Sequence, residues 1–258
     1  MCMSTSTTPR GLLFGAAAES YERFRLGYPD EVVDRTLAYA GRPVRTAVEV
    51  GSGTGKATRA FASRGIQIVA LEPDPNMFTV LQRESVAMSV TPVHSRFEDY
   101  DGPPVDLLYA AAAWHWTDPA TRWIRAANLL AHRGVMALFG TPMSLVDEHL
   151  RLAVEEARSP YLADEEVQPH DEGPTGGERW PACELDRCEL FGEVEDLILP
   201  RQMVVPRKEY VGYLSTVSAY LQLTLRRRQD VLMRIAEVLP EQVRIDAGVR
   251  LCLARKLG

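Results

Sequence analysis

The sequence predicts an α/β protein built on an open, doubly wound sheet, and three observations carry that expectation. Short unbroken apolar runs recur up to Gly140, and amphipathic stretches separate them one by one. A glycine-rich bend, "VEVGSGTGKATRAF" at 48–61, joins the first apolar run to the first of those stretches. Apolar strands alternating with helices indicate a parallel sheet covered on both faces. Such sheets take ligands at the carboxyl ends of their strands.

The elements follow in order. Residues 1–13 read as a frayed tail, and 14–41 as an N-terminal cap of two short helices broken at "GYP". Pro29 suits the first turn of the second helix, with Asp30 and Glu31 at its positive end. The core spans 42–142. Its strands are expected at 45–50, 66–72, 88–94, 105–111 and 134–140, and its helices at 56–64, 74–84 and 118–131. Gly65 closes the first helix, and Asp74 with Pro75 opens the second. Residues 143–189 are acidic and rich in Pro and Gly, which predicts an irregular inserted lid or a surface insertion. The C-terminal part, 190–258, should hold a strand at 193–205, helices at 206–223 and 226–239, and a last strand at 243–254.

Composition narrows the function. A net charge of −6 over 258 residues disfavours nucleic acid as a partner. The arginine run at 226–228 reads as a solvated helix face. Cys2, Cys183, Cys188 and Cys252 lack the spacing of a zinc or redox site, so no metal is expected and free thiols in a reducing compartment are. The first residues lack an apolar leader segment, and no apolar run is long enough to span a bilayer. The expectation is a cytoplasmic protein that meets a small molecule and no membrane.

Gly51, Gly53 and Gly55 pose the main question, because three kinds of site use glycines in this way. A phosphate loop needs a glycine where Val50 stands and a hydroxyl where Ala57 stands. A dinucleotide fingerprint counted from Gly51 needs its third glycine at Lys56, although Glu72 after the second strand would suit it. The companions decide: "FGAAAESYERFRLGYP" (14–29), "ALEPDPNM" (70–77), "SRFEDY" (95–100) and "AAAAWHWTDP" (110–119). Together with the glycine bend, these resemble the small-molecule, natural-product branch of the class I S-adenosylmethionine-dependent methyltransferases. The likeness covers residues 14–142 well and 210–223 more loosely.

That resemblance implies a seven-stranded, mostly parallel, Rossmann-like sheet and S-adenosylmethionine as cofactor, leaving S-adenosylhomocysteine as product. Gly51, Gly53 and Gly55 would let the backbone approach the cofactor's amino-acid arm, where a Cβ would collide. The amides opening the next helix favour its carboxylate. Glu49 would accept from its ammonium and Glu72 from its ribose hydroxyls, with Pro73 and Ala111 alongside. Phe97 would cover the adenine, and Glu98 or Asp99 would accept from its amino group. Lys56 reads as a surface helix residue.

Methyl transfer is an in-line displacement, so the acceptor must be held about 3 Å from the methyl carbon. His115 leaves the fourth strand at its carboxyl end and can serve as base near neutral pH, or simply pin its loop between Trp114 and Trp116. Tyr21 could close on the methionine end and orient the acceptor. Arg25 is expected in a structural ion pair, and Glu19 is a weak candidate for orienting a ring. Tyr28, Trp114, Tyr213 and Tyr220 are candidate walls of an aromatic or heteroaromatic acceptor pocket, of indole or phenol type. His170 could reach the site from the lid, whereas His94, His132 and His149 read as structural or exposed. Two other readings stay open here: the same fold holding the sulfonium without transferring a methyl, and an NAD-dependent oxidoreductase.

Overall fold

The computed structural model describes residues 14–162 and 180–258. The expected tail at 1–13, His170 and the middle of the insertion lie outside the described residues. The chain opens with a 3₁₀ turn at Gly15–Ala17, then α1 (Ala18–Phe24) and α2 (Asp30–Ala40). Pro29 is the cap of α2, one position earlier than expected, because its extended backbone (ψ 150°) cannot start a helical turn.

Alternation then holds: β1 (Thr46–Val50), α3 (Lys56–Ala62), β2 (Gln67–Leu71), α4 (Pro75–Glu84), β3 (Val90–Val93), β4 (Val105–Ala111), α5 (Arg122–Leu129) and β5 (Leu130–Gly140). Asp74 caps α4 by accepting from the amides of Asn76 and Met77. The second half holds β6 (Ser144–Leu145), α6 (Glu148–Arg158), α7 (Ala182–Leu185), β7 (Phe191–Leu199), β8 (Gln202–Pro206), α8 (Arg207–Leu214), α9 (Ser218–Leu221), α10 (Leu225–Val238), β9 (Gln242–Asp246) and β10 (Val249–Lys256).

The main sheet has seven strands in the order β3-β2-β1-β4-β5-β10-β7, with β10 antiparallel to both neighbours. Between β1 and β4 the winding direction reverses, which opens a crevice at their carboxyl ends. Alternate residues of the strands feed two cores. Ala47, Leu107 and Tyr109 pack with Val33 of α2 and Phe61 of α3 on one face. Val48, Leu108, Ala126 of α5 and Leu185 of α7 fill the other.

Three expectations need correction. The strand expected at 193–205 is two strands in different sheets, and so is the one at 243–254. β7 and β10 belong to the main sheet, whereas β8 and β9 form a second antiparallel sheet with β6. At the corners the Ala247 amide donates to the Arg201 carbonyl at 2.8 Å. A period of two runs through such a corner unbroken, so apolar alternation alone does not reveal it. The helix expected at 206–223 breaks at 215–217. Finally, the insertion is not irregular at its start: α6 is an eleven-residue helix capped by Asp147 and braced by Arg151 to Glu155. Leu150, Val154 and Ala157 face a core with Val231 and Ile235 of α10. The Pro and Gly content further along masked this period.

The second sheet, α6, α8, α9 and α10 form a separate unit over the carboxyl ends of the main sheet. α1 joins the two. Phe24 lies against Gly212 of α8, where a Cβ would stand 2.4 Å from the ring. Gly212→Val should therefore reduce stability by roughly 1–3 kcal/mol, read as a lower urea midpoint at unchanged slope. An unchanged midpoint would contradict this docking.

Candidate active site

The bend at 51–55 is built by backbone geometry that only glycine adopts readily. Gly51, Gly53 and Gly55 have φ of 65°, 56° and 87°. A Cβ on Gly51 would stand 2.6 Å from that of Ala113, and one on Gly55 would stand 2.9 Å from Leu81. A Cβ on Gly53 would meet no protein atom within 4 Å, because that side faces a cavity. The collision expected at Gly51 is therefore with the protein itself, and Gly53 is the position that leaves room for a ligand.

Glu72 fastens the bend. One carboxylate oxygen accepts from the Gly53 amide at 2.7 Å, and the other from the Asp74 amide at 2.8 Å. Each oxygen keeps a second acceptor site. Glu49 points from β1 under α3, where Oε2 accepts from the Thr58 and Tyr109 hydroxyls. Its other oxygen is buried without a protein partner, as are the hydroxyls of Ser52 and Thr54. Ser52 lies beside Glu49 without completing a bond in this geometry. Burial pushes both carboxyls up to about 7, offset in part by the Thr58 and Tyr109 hydroxyls at Glu49 and by the two amides at Glu72.

These groups open onto a cavity of about 840 Å³, with a small annex beneath the bend. Gly51, Gly53, Glu72, Pro73, Phe97, Glu98 and Ala111 line the main cavity, together with His115, Tyr21 and Tyr213. Glu49 and Tyr28 line the annex with Ser52, Thr54 and Lys56. Glu98 accepts from the Asp118 amide at 2.8 Å and pairs with Arg96 at 3.3 Å, whereas Asp99 does not line the cavity. His115 sits in a 3₁₀ turn (Trp114–Trp116) that follows Ala112, whose φ of 51° is unusual for a residue with a side chain.

Several expected residues fall elsewhere. Gly55 caps α3 and does not line the cavity, because Leu81 and Arg59 cover it. Trp114 is 2% exposed and packs against Phe97 and Trp123. Tyr220 is fully buried in the second unit's core with Tyr213 but, unlike Tyr213, does not line the cavity; the helix breaks between the two. Tyr28 stands edge-on to Phe139 beside the annex, not on the acceptor side.

Lys56 is no surface residue: it bonds the Glu22 carbonyl at 2.6 Å, and burial lowers its pKa. Among the described residues Arg25 forms no ion pair. It donates to the Thr216 hydroxyl (2.9 Å) and carbonyl (3.0 Å), sandwiched between the rings of Tyr21 (5.1 Å) and Tyr213 (4.7 Å). Glu19 pairs with Arg83 at 2.6 Å, not with a ring. His94 bonds the Pro73 carbonyl at 3.0 Å, and His132 and His149 are exposed.

Sequence reasoning missed the wall contributed by Met143, Leu145, Arg151, Val154, Glu155 and Arg158. The i, i+3, i+4, i+7 spacing of 151, 154, 155 and 158 was the available signal. Among the described residues, no three His, Cys, Asp or Glu side chains are placed to hold a metal, and no helix is long and apolar enough to cross a membrane.

Comparison with known proteins agrees with this architecture. Residues 48–138 match the family described as "Methyltransferase domain". An uncharacterized methyltransferase of Mycobacterium tuberculosis (strain H37Rv) is 37% identical over 139 residues, which cover 53% of this chain and 55% of that relative. The chain thus spans about half the length of the curated relatives it matches at this level. A protein of Dictyostelium discoideum, provisionally named a methyltransferase, is 24% identical over 246 residues, covering 91% of this chain and 88% of its own length. Among solved structures, one from Anaeromyxobacter dehalogenans, provisionally described as a type II methyltransferase, aligns with a TM-score of 0.65 at 23% identity. It covers 91% of this chain and 99% of its own. The plantazolicin methyltransferase in complex with SAH aligns with a TM-score of 0.52 at 8% identity, covering 96% and 95%.

The two raised carboxyls set a pH dependence. Their folded pKa values near 7 exceed the ordinary 4.5, so the folded chain binds more protons than the unfolded one between those limits. Stability of the ligand-free protein should fall as pH rises from about 4.5 to 7 and level off above, by on the order of 3 kcal/mol per carboxyl. Glu49→Gln should raise the ligand-free Tm above pH 7 and flatten part of that slope. A Tm that climbs steadily through this window in both proteins would contradict the assignment.

Proposed function

We propose that this chain, whose residues 48–138 match the family described as "Methyltransferase domain", is a class I methyltransferase that transfers a methyl group from S-adenosylmethionine to a small molecule. The acceptor we propose is an aromatic or heteroaromatic metabolite of indole or phenol type. One observation carries the reading. Three buried oxygens, on Glu49, Ser52 and Thr54, complete no hydrogen bond among the described residues, although Ser52 lies beside Glu49, and they sit under a glycine bend whose Gly53 leaves open space above it. A buried carboxylate oxygen without a donor is costly; a ligand ammonium would supply donors to Glu49, and the two hydroxyls could accept from it as well. The plantazolicin methyltransferase structure, which contains SAH, supports the same choice of cofactor.

Residue roles follow from position. Glu49 would take the ammonium and Glu72 the ribose hydroxyls, each with acceptor capacity to spare. Arg25 uses Nε and Nη2 on Thr216, which leaves Nη1 for the cofactor's carboxylate at the annex. Phe97, Pro73 and Ala111 would flank the adenosyl group, with Glu98 at the adenine edge. When bound, S-adenosylmethionine supplies an electrophilic methyl on a sulfonium. The protein's task is then to hold the acceptor in line and exclude water.

The half of the cavity beyond the bend suits that task. Met143, Leu145, Val154, Tyr213, Leu214 and Val217 form an apolar and aromatic wall. His115 stands at the end of β4, where it can take the acceptor's proton at a ring nitrogen. Tyr21, packed between Phe14 and Arg25, would hold the acceptor's orientation.

Titration calorimetry tests the cofactor and labelled transfer tests the chemistry. S-adenosylhomocysteine should bind saturably and raise the Tm, NAD should do neither, and Gly53→Val should abolish both effects. No binding, or equal binding by Gly53→Val, would overturn the reading. With labelled cofactor and a competent acceptor, His115→Ala should lower turnover by about a hundredfold while sparing S-adenosylhomocysteine affinity. Unchanged turnover would remove His115 as the base.

A further inference from the structure

We infer that Glu184, which does not line the cavity, is a positioning residue for His115. The importance of His115 rests on the methyl-transfer reading above. Glu184 lies in α7, where the chain returns from the insertion to the main sheet. Its carboxylate accepts three N–H groups from two segments. Arg122 Nη2 (2.6 Å) and Trp123 Nε1 (3.0 Å) of α5 reach one oxygen, and Trp180 Nε1 (3.1 Å) reaches the other.

The cluster is built into the interior. Arg122 is 1% exposed, and its Nε and Nη1 have no acceptor among the described residues. Its guanidinium lies over the rings of Trp123 (5.3 Å) and Trp180 (5.5 Å), and among the described residues Glu184 is its one counterion. A buried arginine with a single carboxylate holds that carboxylate firmly, because separation would strand the charge.

Trp180 transmits the arrangement. Its ring, 5% exposed, meets the His115 imidazole edge-on at 6.5 Å, while Trp116 flanks the imidazole at 4.5 Å. Edge-to-face aromatic pairs at such distances fix ring orientation. Trp114, in the same 3₁₀ turn, packs on Trp123 at 5.3 Å. The turn that carries His115 is therefore held from two sides by rings, each bonded to the same carboxylate. Loss of Glu184 would release both, with no side chain of the cavity altered.

Histidine-labelled protein tests this by NMR. The His115 ring signals, assigned by their loss in His115→Gln, are followed through a pH series in the intact chain, in Glu184→Gln and in the double variant Arg122→Met with Glu184→Met. Neither variant changes residue 115 or an aromatic ring. The double variant also removes the stranded charge, so it keeps the test open if Glu184→Gln does not fold. The expected result is a His115 signal moved toward that of an exposed histidine, with a shifted titration midpoint and unchanged affinity for S-adenosylhomocysteine. A lowered Tm with the His115 signal and midpoint unchanged, in either folded variant, would overturn the proposal. An intact chain that fails to bind S-adenosylhomocysteine would sink the preceding reading instead, and the His115 signal would still decide this one.

Discussion

The hydrogen bond from the Gly53 amide to Glu72 is the constraint on which the site depends. It ties a left-handed bend leaving β1 to the carboxylate that ends β2. The Ser52 amide adds a second tie by donating to the Leu71 carbonyl at 2.9 Å. With the bend fixed, α3 starts where Lys56 and Arg59 can both reach Glu22 of α1. α1 is thereby laid across the cavity with Tyr21 and Arg25 on its inner side. One backbone turn sets the floor and, through two cations, the roof.

The roof belongs equally to the second unit. Arg25, between Tyr21 and Tyr213, and Phe24, against Gly212, tie α1 to α8. The segment that covers the cavity with Tyr21 and Arg25 is therefore also the one packed against the Tyr213 wall. The buried charges have a cost in the ligand-free chain, since Glu49 and Glu72 are both held out of water. Binding of a cationic amino acid would offset it, so part of the intrinsic binding energy goes into stabilising the site.

Much of this was legible in the sequence because the relevant signals are local. Alternation of apolar runs located β1 to β5, the spacing of Gly51, Gly53 and Gly55 located the bend, and the strand ends located Glu49, Glu72 and His115. What escaped was non-local. Trp114 and Tyr220 have the composition of a pocket wall, but whether an aromatic faces ligand or core depends on the turn before it. Lys56 looked exposed because nothing in its neighbourhood announces Glu22, which lies 34 residues away. The corners at 200–201 and 247–248 keep the period of two while changing sheets, so the second unit was invisible as a unit. α6 was hidden by the Pro and Gly content of the insertion it begins.

A structure with S-adenosylhomocysteine bound tests the central claim most directly. The account predicts the ligand's ammonium on the free Glu49 oxygen and its ribose hydroxyls on Glu72, with the Gly53 amide still donating to that carboxylate. The vacated methyl position would then face His115 and the wall of α6 and α8. A ligand seated elsewhere, or one that breaks the Gly53–Glu72 bond on entering, would contradict it.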